Sequence, residues 1–328
     1  QIAISLRLTG RLREARDYYY QAYTMNRESG NRVEEAGDTA RLAIGNLFLG
    51  HFDEAYQLCT TALSLARELG IRYDEWFATE DLGLVLRAVG RWREATEHLE
   101  RALSLAEEVG YPTRSSNSLL GFACAMLGDL ERAKELLETA RSAQSGSPTE
   151  EYLADAIRGL GLVAEYEGEA EEAERLYGEA LALVVKRGDR CQEGWTLVDL
   201  GRLRVRMGRE AEATRDLEQA LAIGREAEQP SLTVLAVSYL ASHSVDATQT
   251  ALDAFAEYET RVEHASRMEA RFALWKVTSD LVHLEEAHRL LRYLQEHAPP
   301  DYRDTMIANV PLHRDIAAAW AAQGTLNS

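Results

Sequence analysis

The residues of this chain that could perform acid–base or metal chemistry are spaced in ways that argue against both. His283 and His288 lie five positions apart, so on a helix their side chains diverge and do not share a metal ion. Four pairs of adjacent glutamates lie near predicted turns and helix ends, where solvation explains them. Adjacent helical side chains point about 100° apart, so such a pair does not converge on one substrate atom. The glutamate pairs are at residues 34–35, 107–108, 171–172 and 285–286.

Other signatures of catalysis are missing from the sequence. It contains no phosphate-binding loop, no Gly-x-Ser-x-Gly nucleophile turn and no His-Glu-x-x-His metal motif. Cys59, Cys124 and Cys191 lie far apart along the chain, a spacing that fits neither a metal site nor a redox pair. We therefore expect a non-catalytic protein without metal or cofactor, in a reducing, cytoplasmic environment.

The strongly negative net charge argues against nucleic acid as a partner. The 328 residues carry a formal charge of −18, and the isoelectric point is near 5.0. Such a surface repels nucleic acid, because binding it requires lysine and arginine to displace counterions. No stretch approaches the roughly 20 apolar residues that a membrane-spanning helix needs. We expect protein or peptide partners and neither nucleic acid nor membrane.

A repeat predicts the elements that must position any binding residues. A six-residue phrase begins with glycine and ends with alanine, and it recurs with a nearly constant period of about 40 residues. In four copies a leucine–glycine pair ends seven positions before the phrase, and a second alanine follows the first by seven positions. This period predicts stacked helix hairpins in which the phrase glycine ends the first helix. The six phrases start at Gly10, Gly50, Gly90, Gly128, Gly168 and Gly208.

These joint positions resemble the tetratricopeptide repeat, and the resemblance covers about residues 1–225. It implies an all-α fold, a right-handed superhelical solenoid of stacked antiparallel helix hairpins. The period here is longer than the roughly 34 residues usual for the family, which implies longer helices or connections. The chain starts inside a helical pattern, so we expect a truncated first hairpin and a longer parent protein.

The repeat weakens after Pro230. We predict regular hairpins over residues 1–225, degenerate hairpins over residues 226–298, and a capping helix with a frayed tail over residues 299–328. In the last hairpin Val282 takes the place of the turn glycine, and residues 302–320 are predicted as one closing helix. Residues 142–148 are predicted as a flexible loop between two hairpins.

The resemblance places the first helix of each hairpin on the concave wall. Positions three, six, ten and thirteen before each turn glycine then face inward. An apolar stripe of Ile44, Leu84, Phe122 and Leu162 follows, surrounded by arginines and an aromatic ring. Such a surface suits an amphipathic helix or an acidic-ended segment. The predicted partner-binding residues are Arg87, Phe122, Arg158, Trp195, Arg202 and Arg206.

Alternatives stay open for these residues. The apolar ones can pack against a neighbouring hairpin, and the arginines can pair with Glu80, Asp155 and Glu165. Exposed pairs of this kind contribute only ~0–1 kcal/mol, so pairing alone does not explain their placement. Some family members hold a C-terminal carboxylate with lysine and asparagine, but Ser118 and Arg158 stand at corresponding places here, so that clamp is not expected.

The C-terminal segment carries a second resemblance. Residues 309–316, followed by three alanines and Trp320, are similar to the ends of bacterial signalling proteins in which a kinase, cyclase or signal-transduction ATPase module precedes a tetratricopeptide array. We therefore expect an interaction scaffold, the sensor or regulatory module of a larger bacterial signalling protein. It would bind a helix, a peptide or a domain of its parent chain on the concave face. The second interpretation is a sensor for a small-molecule or peptide inducer, as in transcriptional regulators or signalling ATPases.

Overall fold

The structure, a computed structural model, describes residues 2–143, 151–242 and 245–326. Within these ranges the chain forms 18 α-helices and no β-strand. Residues 144–148 of the predicted flexible loop and the last two residues lie outside them. The first nine helices are α1 Ile2–Leu8, α2 Leu12–Ser29, α3 Arg32–Phe48, α4 Phe52–Leu69, α5 Arg72–Ala88, α6 Trp92–Val109, α7 Arg114–Met126, α8 Leu130–Ser142 and α9 Glu151–Glu167. The others are α10 Ala170–Arg187, α11 Arg190–Arg206, α12 Glu210–Glu226, α13 Pro230–Leu240, α14 Val245–Tyr258, α15 His264–Thr278, α16 Leu281–His297, α17 Thr305–Asn309 and α18 Pro311–Leu326.

Consecutive helices pack as hairpins, from α1 with α2 (hairpin 1) to α15 with α16 (hairpin 8). The predicted solenoid of helix hairpins is confirmed. The six phrase glycines all have φ between 74° and 86°, a left-handed conformation that glycine adopts without the steric penalty of a Cβ. A second set of left-handed glycines, which the phrase does not include, ends the second helices at Gly30, Gly70, Gly110 and Gly188.

A small residue on one helix faces a large residue on the other in each regular hairpin. A Cβ at Gly83 would lie 2.8 Å from Cγ of Leu99, and one at Gly121 would lie 2.7 Å from Cγ of Leu137. The leucine of the second helix therefore fills the space that a side chain on the first helix would need. The alanines that end the phrases are buried along the same contact, which we call the seam.

The end of the chain differs from three predictions. The turn of hairpin 8 falls at Ser279, whose φ of 57° is left-handed, whereas Val282 lies inside α16. The predicted single helix over residues 302–320 is also wrong. A 3-10 turn, α17 and α18 replace it, because Pro311 lacks the N–H that would continue a helix and instead begins α18. The segment 324–326, predicted to fray, belongs to α18.

The solenoid coils until its first turns meet its last hairpins. Gly10, in the turn of hairpin 1, packs against the side chain of Arg190 at the start of α11. In hairpin 2 the carbonyl oxygen of Leu49 accepts two hydrogen bonds from Arg261, at 3.0 and 2.7 Å. A side chain at Gly50 would clash with the carbonyl oxygen of Arg261, so close approach as well as backbone conformation requires glycine here.

The next two turns make equivalent contacts. The turn of hairpin 3 lies against the ring of His264 at the start of α15. In hairpin 4 the carbonyl oxygen of Gly128 accepts a hydrogen bond of 2.8 Å from Nδ2 of Asn309. The turns of hairpins 1 to 4 are thus covered by residues from α11 onward, and the concave side is partly enclosed.

Leucine at Ala95 or Ala133 should overpack the seams of hairpins 3 and 4. Both alanines are fully buried, so the added carbons have to push two helices apart, at a cost of about 1–3 kcal/mol for each substitution. Urea unfolding followed by circular dichroism measures this loss. Ala211→Leu, at an exposed position of α12, is the matched control. If the Ala95 and Ala133 variants unfold like the control, the seam assignment is wrong.

Candidate functional site

Closure of the solenoid forms a central cavity of about 470 Å³. The first helix of every hairpin contributes to its wall, and α18 adds Leu312 and Asp315. The concave face, predicted as a groove, is therefore a partly enclosed cavity, because hairpins 6 to 8 fold back against the first turns. The predicted apolar stripe lies on this wall and comprises Ile44, Leu84, Phe122 and Leu162.

All six predicted partner-binding residues lie on the cavity wall. Phe122 lies near two guanidinium groups, those of Arg87 and Arg158, at 5.8 and 5.5 Å from its ring centroid. Arg158 is also 6.0 Å from the ring centroid of Trp195, and Arg87 is 3.9 Å from the carboxylate of Glu263. Cation–π contacts hold flexible arginines against aromatic faces. These side chains thus connect hairpins 3, 4, 5 and 6 in succession.

Arg202 is the centre of a buried ion network. Its Nη2 donates to Glu165 at 2.8 Å and lies 3.3 Å from Asp199, and its Nη1 donates to Glu269 at 3.3 Å. Burial lowers the pKa of Arg202, but the three carboxylates outweigh burial and hold that pKa well above its ordinary value. Burial likewise raises the pKa of Glu165, and Arg202 reverses the effect so that the net direction is downward. Both groups are therefore charged at neutral pH.

The remaining predicted arginines are paired too. Nε of Arg158 donates to Oδ2 of Asp199 at 2.6 Å, and Nη1 of Arg206 donates to Oε1 of Glu165 at 3.0 Å. Pairing with Glu165 was considered from the sequence, whereas the partner of Arg158 was not. Seven basic and eight acidic side chains line the cavity, so its wall is nearly neutral and differs from the basic groove that unpaired arginines would form.

Glu80, the third acid considered as an arginine partner, accepts hydrogen bonds from neutral donors. Nε1 of Trp76 and Oγ of Ser115 donate to its Oε1 at 3.1 and 3.0 Å, and Ser116 donates to the same oxygen. Burial raises the pKa of Glu80 to about 7, and the three hydrogen bonds oppose that rise. The group joins α5 to α7 beside the cavity.

Asp81, Asp199 and Glu269 are among the charged wall residues that the chosen inward positions missed. Asp81 and Asp199 stand nine positions before a turn glycine, a position that also places Arg41 and Leu119 on the wall. Including this fifth position would have found both aspartates. Glu269 belongs to a hairpin without a phrase glycine, so the repeat offers no point from which to count.

The three thiols are buried and form no disulfide. Burial raises the pKa of Cys124 and of Cys191 to about 12, so both are protonated at neutral pH. In the described part of the chain, no cluster of three or more His, Cys, Asp or Glu side chains could hold a metal ion. Across the same residues, no helix has the length and apolar character needed to span a membrane.

A tetratricopeptide repeat family model matches the sequence in three overlapping segments, residues 77–146, 113–184 and 152–226. Residues 77–226 carry tetratricopeptide repeats (TPR), and we call the solenoid of hairpins that contains them the TPR array. The segments span hairpins 3 to 6, which supply most of the ion network described above. Among curated proteins, none matches this sequence.

Solved structures with similar folds extend the likeness to most of the TPR array. The Rap conjugation gene regulator of plasmid pLS20, in complex with the Phr* peptide, has a TM-score of 0.65 and 13% identity, covering 87% of this chain and 79% of that one. NprR in complex with its cognate peptide NprX has a TM-score of 0.64 and 16% identity, covering 89% and 83%. A Rap protein complexed with Competence and Sporulation Factor has a TM-score of 0.64 and 14% identity, covering 85% and 80%. At these identities the likeness establishes the fold alone.

Arg202→Met should destabilise the TPR array strongly. It leaves Glu165, Asp199 and Glu269 close together in the interior with one cation fewer, and breaking a buried pair costs about 3–5 kcal/mol. Urea unfolding measures the change. Arg175→Met, which removes an exposed arginine paired with Glu172, is the control and should melt like the parent. Equal stability of the two variants would show that the network contributes nothing.

Glu80→Gln should remove a pH dependence of stability. Burial raises the pKa of Glu80 to about 7, so the folded protein binds a proton there more tightly than the unfolded chain does. The stability gained from this proton is complete below the unfolded pKa near 4.5 and is lost as the pH rises toward 7. Glutamine stays neutral and can still accept the three hydrogen bonds. The melting temperature of the variant relative to the parent should therefore rise between pH 4.5 and 7.5. Glu97→Gln, at an exposed position of α6, should show no such trend.

Proposed function

We propose that the TPR array is a non-catalytic regulatory module that binds a short, extended peptide inside its central cavity. The observation that carries this proposal is a partly enclosed cavity whose wall combines an apolar stripe with paired charges. Leu84 and Phe122 can bury ligand side chains, while the ion network and Tyr239 present polar groups. A peptide backbone needs such groups, since each buried N–H and C=O requires a partner.

The polar groups of the wall favour an extended peptide over a docked helix. A helix satisfies most of its own backbone N–H and C=O groups, whereas an extended segment needs partners for them. The charged and polar side chains beside the apolar stripe can supply those partners.

Peptide complexes of proteins with the same fold support a peptide ligand. The Rap conjugation gene regulator is bound to the Phr* peptide, and NprR is bound to its cognate peptide NprX. Those ligands belong to those proteins. Their relevance here is that a TPR solenoid of similar extent accepts a peptide, which matches the class of ligand that this cavity suits.

The peptide can be a free signal or a segment of the chain's own parent protein. We further propose that the array acts as the sensor or regulatory module of a larger cytoplasmic signalling protein of bacteria. The resemblance of residues 309–320 to the ends of such proteins supports this. The formal charge of −18 argues against nucleic acid as the partner.

A small-molecule inducer is the second candidate ligand. The volume of 470 Å³ lies within the roughly 300–1,000 Å³ range of small-molecule pockets, and paired charges on the wall suit a polar molecule. A thermal-shift screen separates the candidates, because a ligand that binds only the folded state raises its melting temperature. Stabilisation by metabolites but by no peptide would favour the inducer.

Tryptophan at Ala265 should block peptide binding. Ala265 lines the cavity on α15, so the larger side chain occupies space that the ligand needs. Heptapeptides selected from a random displayed library on the parent should bind Ala265→Trp at least roughly tenfold more weakly by calorimetry. Ala211→Trp, at an exposed position of α12, should bind like the parent. Failure to select any peptide, or equal affinity for Ala265→Trp, would refute a peptide-binding cavity.

A further inference from the structure

Two aspartates occupy the same position in different hairpins. Asp81 in hairpin 3 and Asp199 in hairpin 6 each stand nine positions before a turn glycine, and both line the cavity. The repeat makes their surroundings directly comparable, residue by residue.

Asp199 is neutralised by two arginines. Arg158 donates to its Oδ2 at 2.6 Å, and Arg202 lies 3.3 Å from its Oδ1, so each carboxylate oxygen faces a guanidinium group. Arg158 stands ten positions before the turn glycine of the preceding hairpin. Arg202 stands six positions before the turn glycine of its own hairpin.

Neither Arg158 nor Arg202 has an arginine counterpart beside Asp81. Ala40 holds the position equivalent to Arg158, and Leu84 holds the position equivalent to Arg202. Asp81 is only 5% exposed, and none of the described residues forms a hydrogen bond with its Oδ2. A buried carboxyl oxygen without a partner is unfavourable, so its place on the cavity wall calls for a donor from outside the chain.

The charged and titratable groups that face Asp81 come from four helices. Glu80 precedes it on α5, Arg7 lies on α1, Arg41 on α3, and the thiol of Cys59 on α4. Burial, followed by repulsion from Glu80, raises the pKa of Asp81 well above its ordinary value, and the two arginines only partly oppose that rise. The chain's own groups therefore compensate the charge of this carboxylate poorly.

The two nearby arginines are engaged elsewhere. Nη1 of Arg41 donates to Oδ1 of Asp38 at 3.0 Å. The guanidinium of Arg7 lies 5.9 Å from the ring centroid of Phe48. Neither donates to Oδ2 of Asp81, so the position that arginines fill in hairpin 6 is available to a ligand in hairpin 3.

We propose that Asp81 binds a cationic group of the ligand, a guanidinium or an ammonium, in the place that Arg158 and Arg202 hold against Asp199. The proposal rests on the peptide-binding function proposed above. The aliphatic part of a basic side chain packs on Leu84 and Phe77 of the wall, and its charged end reaches the carboxylate. The resulting charge-assisted hydrogen bond satisfies the unpaired oxygen.

The test uses heptapeptides from a random displayed library, selected on the full chain and then synthesised. We expect the selected peptides to share one Arg or Lys position, or a free amino terminus. Asp81→Asn should bind them roughly 30-fold or more weakly than the parent, because asparagine keeps the shape and loses the charge. Asp53→Asn, at an exposed position of α4, is the matched control and should bind like the parent.

Changes in the peptide identify the cation. Norleucine at the shared basic position should weaken binding to the parent as much as Asp81→Asn does, and should change binding to Asp81→Asn little, as a double-mutant cycle requires for a direct pair. If the terminal ammonium is the bound group, acetylation of the amino terminus should instead weaken binding to the parent and change binding to Asp81→Asn little. Additive losses in both cycles would overturn the proposal.

An internal substitution gives an independent check. Leu84→Arg places a guanidinium three positions after Asp81, the spacing of Arg202 after Asp199. We expect a higher melting temperature than the parent and weaker binding of the basic peptides, with the norleucine peptides affected less. A lower melting temperature together with unchanged preference for basic peptides would contradict the proposal.

The outcomes separate the two proposals. Peptides that lose affinity for Ala265→Trp, yet show no cationic position or bind Asp81→Asn like the parent, overturn the role of Asp81 and leave the cavity function standing. If no selected peptide is sensitive to Ala265→Trp, both proposals fail.

Discussion

The close approach of the two helices within each hairpin is the contact on which the other features of the structure depend. Glycine or alanine on one helix faces a larger side chain on the other, as Gly83 faces Leu99, so the helices meet along one defined face. The opposite face of the first helix is then left to point inward. Because the seam recurs at a nearly constant interval along the chain, each hairpin adds a similar rotation, and the solenoid curves until its turns meet hairpins 6 to 8.

Enclosure imposes an electrostatic condition on the inward side chains. Removing a charge from water is unfavourable unless a partner of opposite sign and suitable geometry replaces the lost hydration. The cavity meets this condition with near-equal numbers of acids and bases, most clearly where Arg202 faces three carboxylates. The pairing of Arg202 with Glu269 also joins hairpin 6 to hairpin 8, which the seams alone do not connect. Asp81 is the exception to this pairing of acids with bases. A ligand that brings a positive charge to this carboxylate therefore stabilises the cavity most.

A repeat protein can vary its inner surface because its stability depends on contacts that the inner surface does not share. The seams of hairpins 3 and 6 follow the same rule, yet their inward residues differ, with Leu84 in one and Arg202 in the other. Residues at the same position of different hairpins can therefore be compared directly with one another. Here the comparison distinguishes a carboxylate that supports the fold, Asp199, from one that the fold leaves without a partner.

The sequence by itself determined the regular hairpins and their turns, because these depend on residues less than one repeat apart. Glycines with left-handed φ and the alanines of the seam could be predicted from spacing. The resemblance to the tetratricopeptide repeat then placed the stripe from Ile44 to Leu162 on the inner wall. The interruption at Pro311 also has a local cause, although the prediction of a single closing helix overlooked it. The tertiary structure alone decided that the concave face is a partly enclosed cavity and that its arginines are neutralised. Closure depends on a small rotation summed over eight hairpins, and contacts such as Arg261 with Leu49 join residues that no local pattern relates.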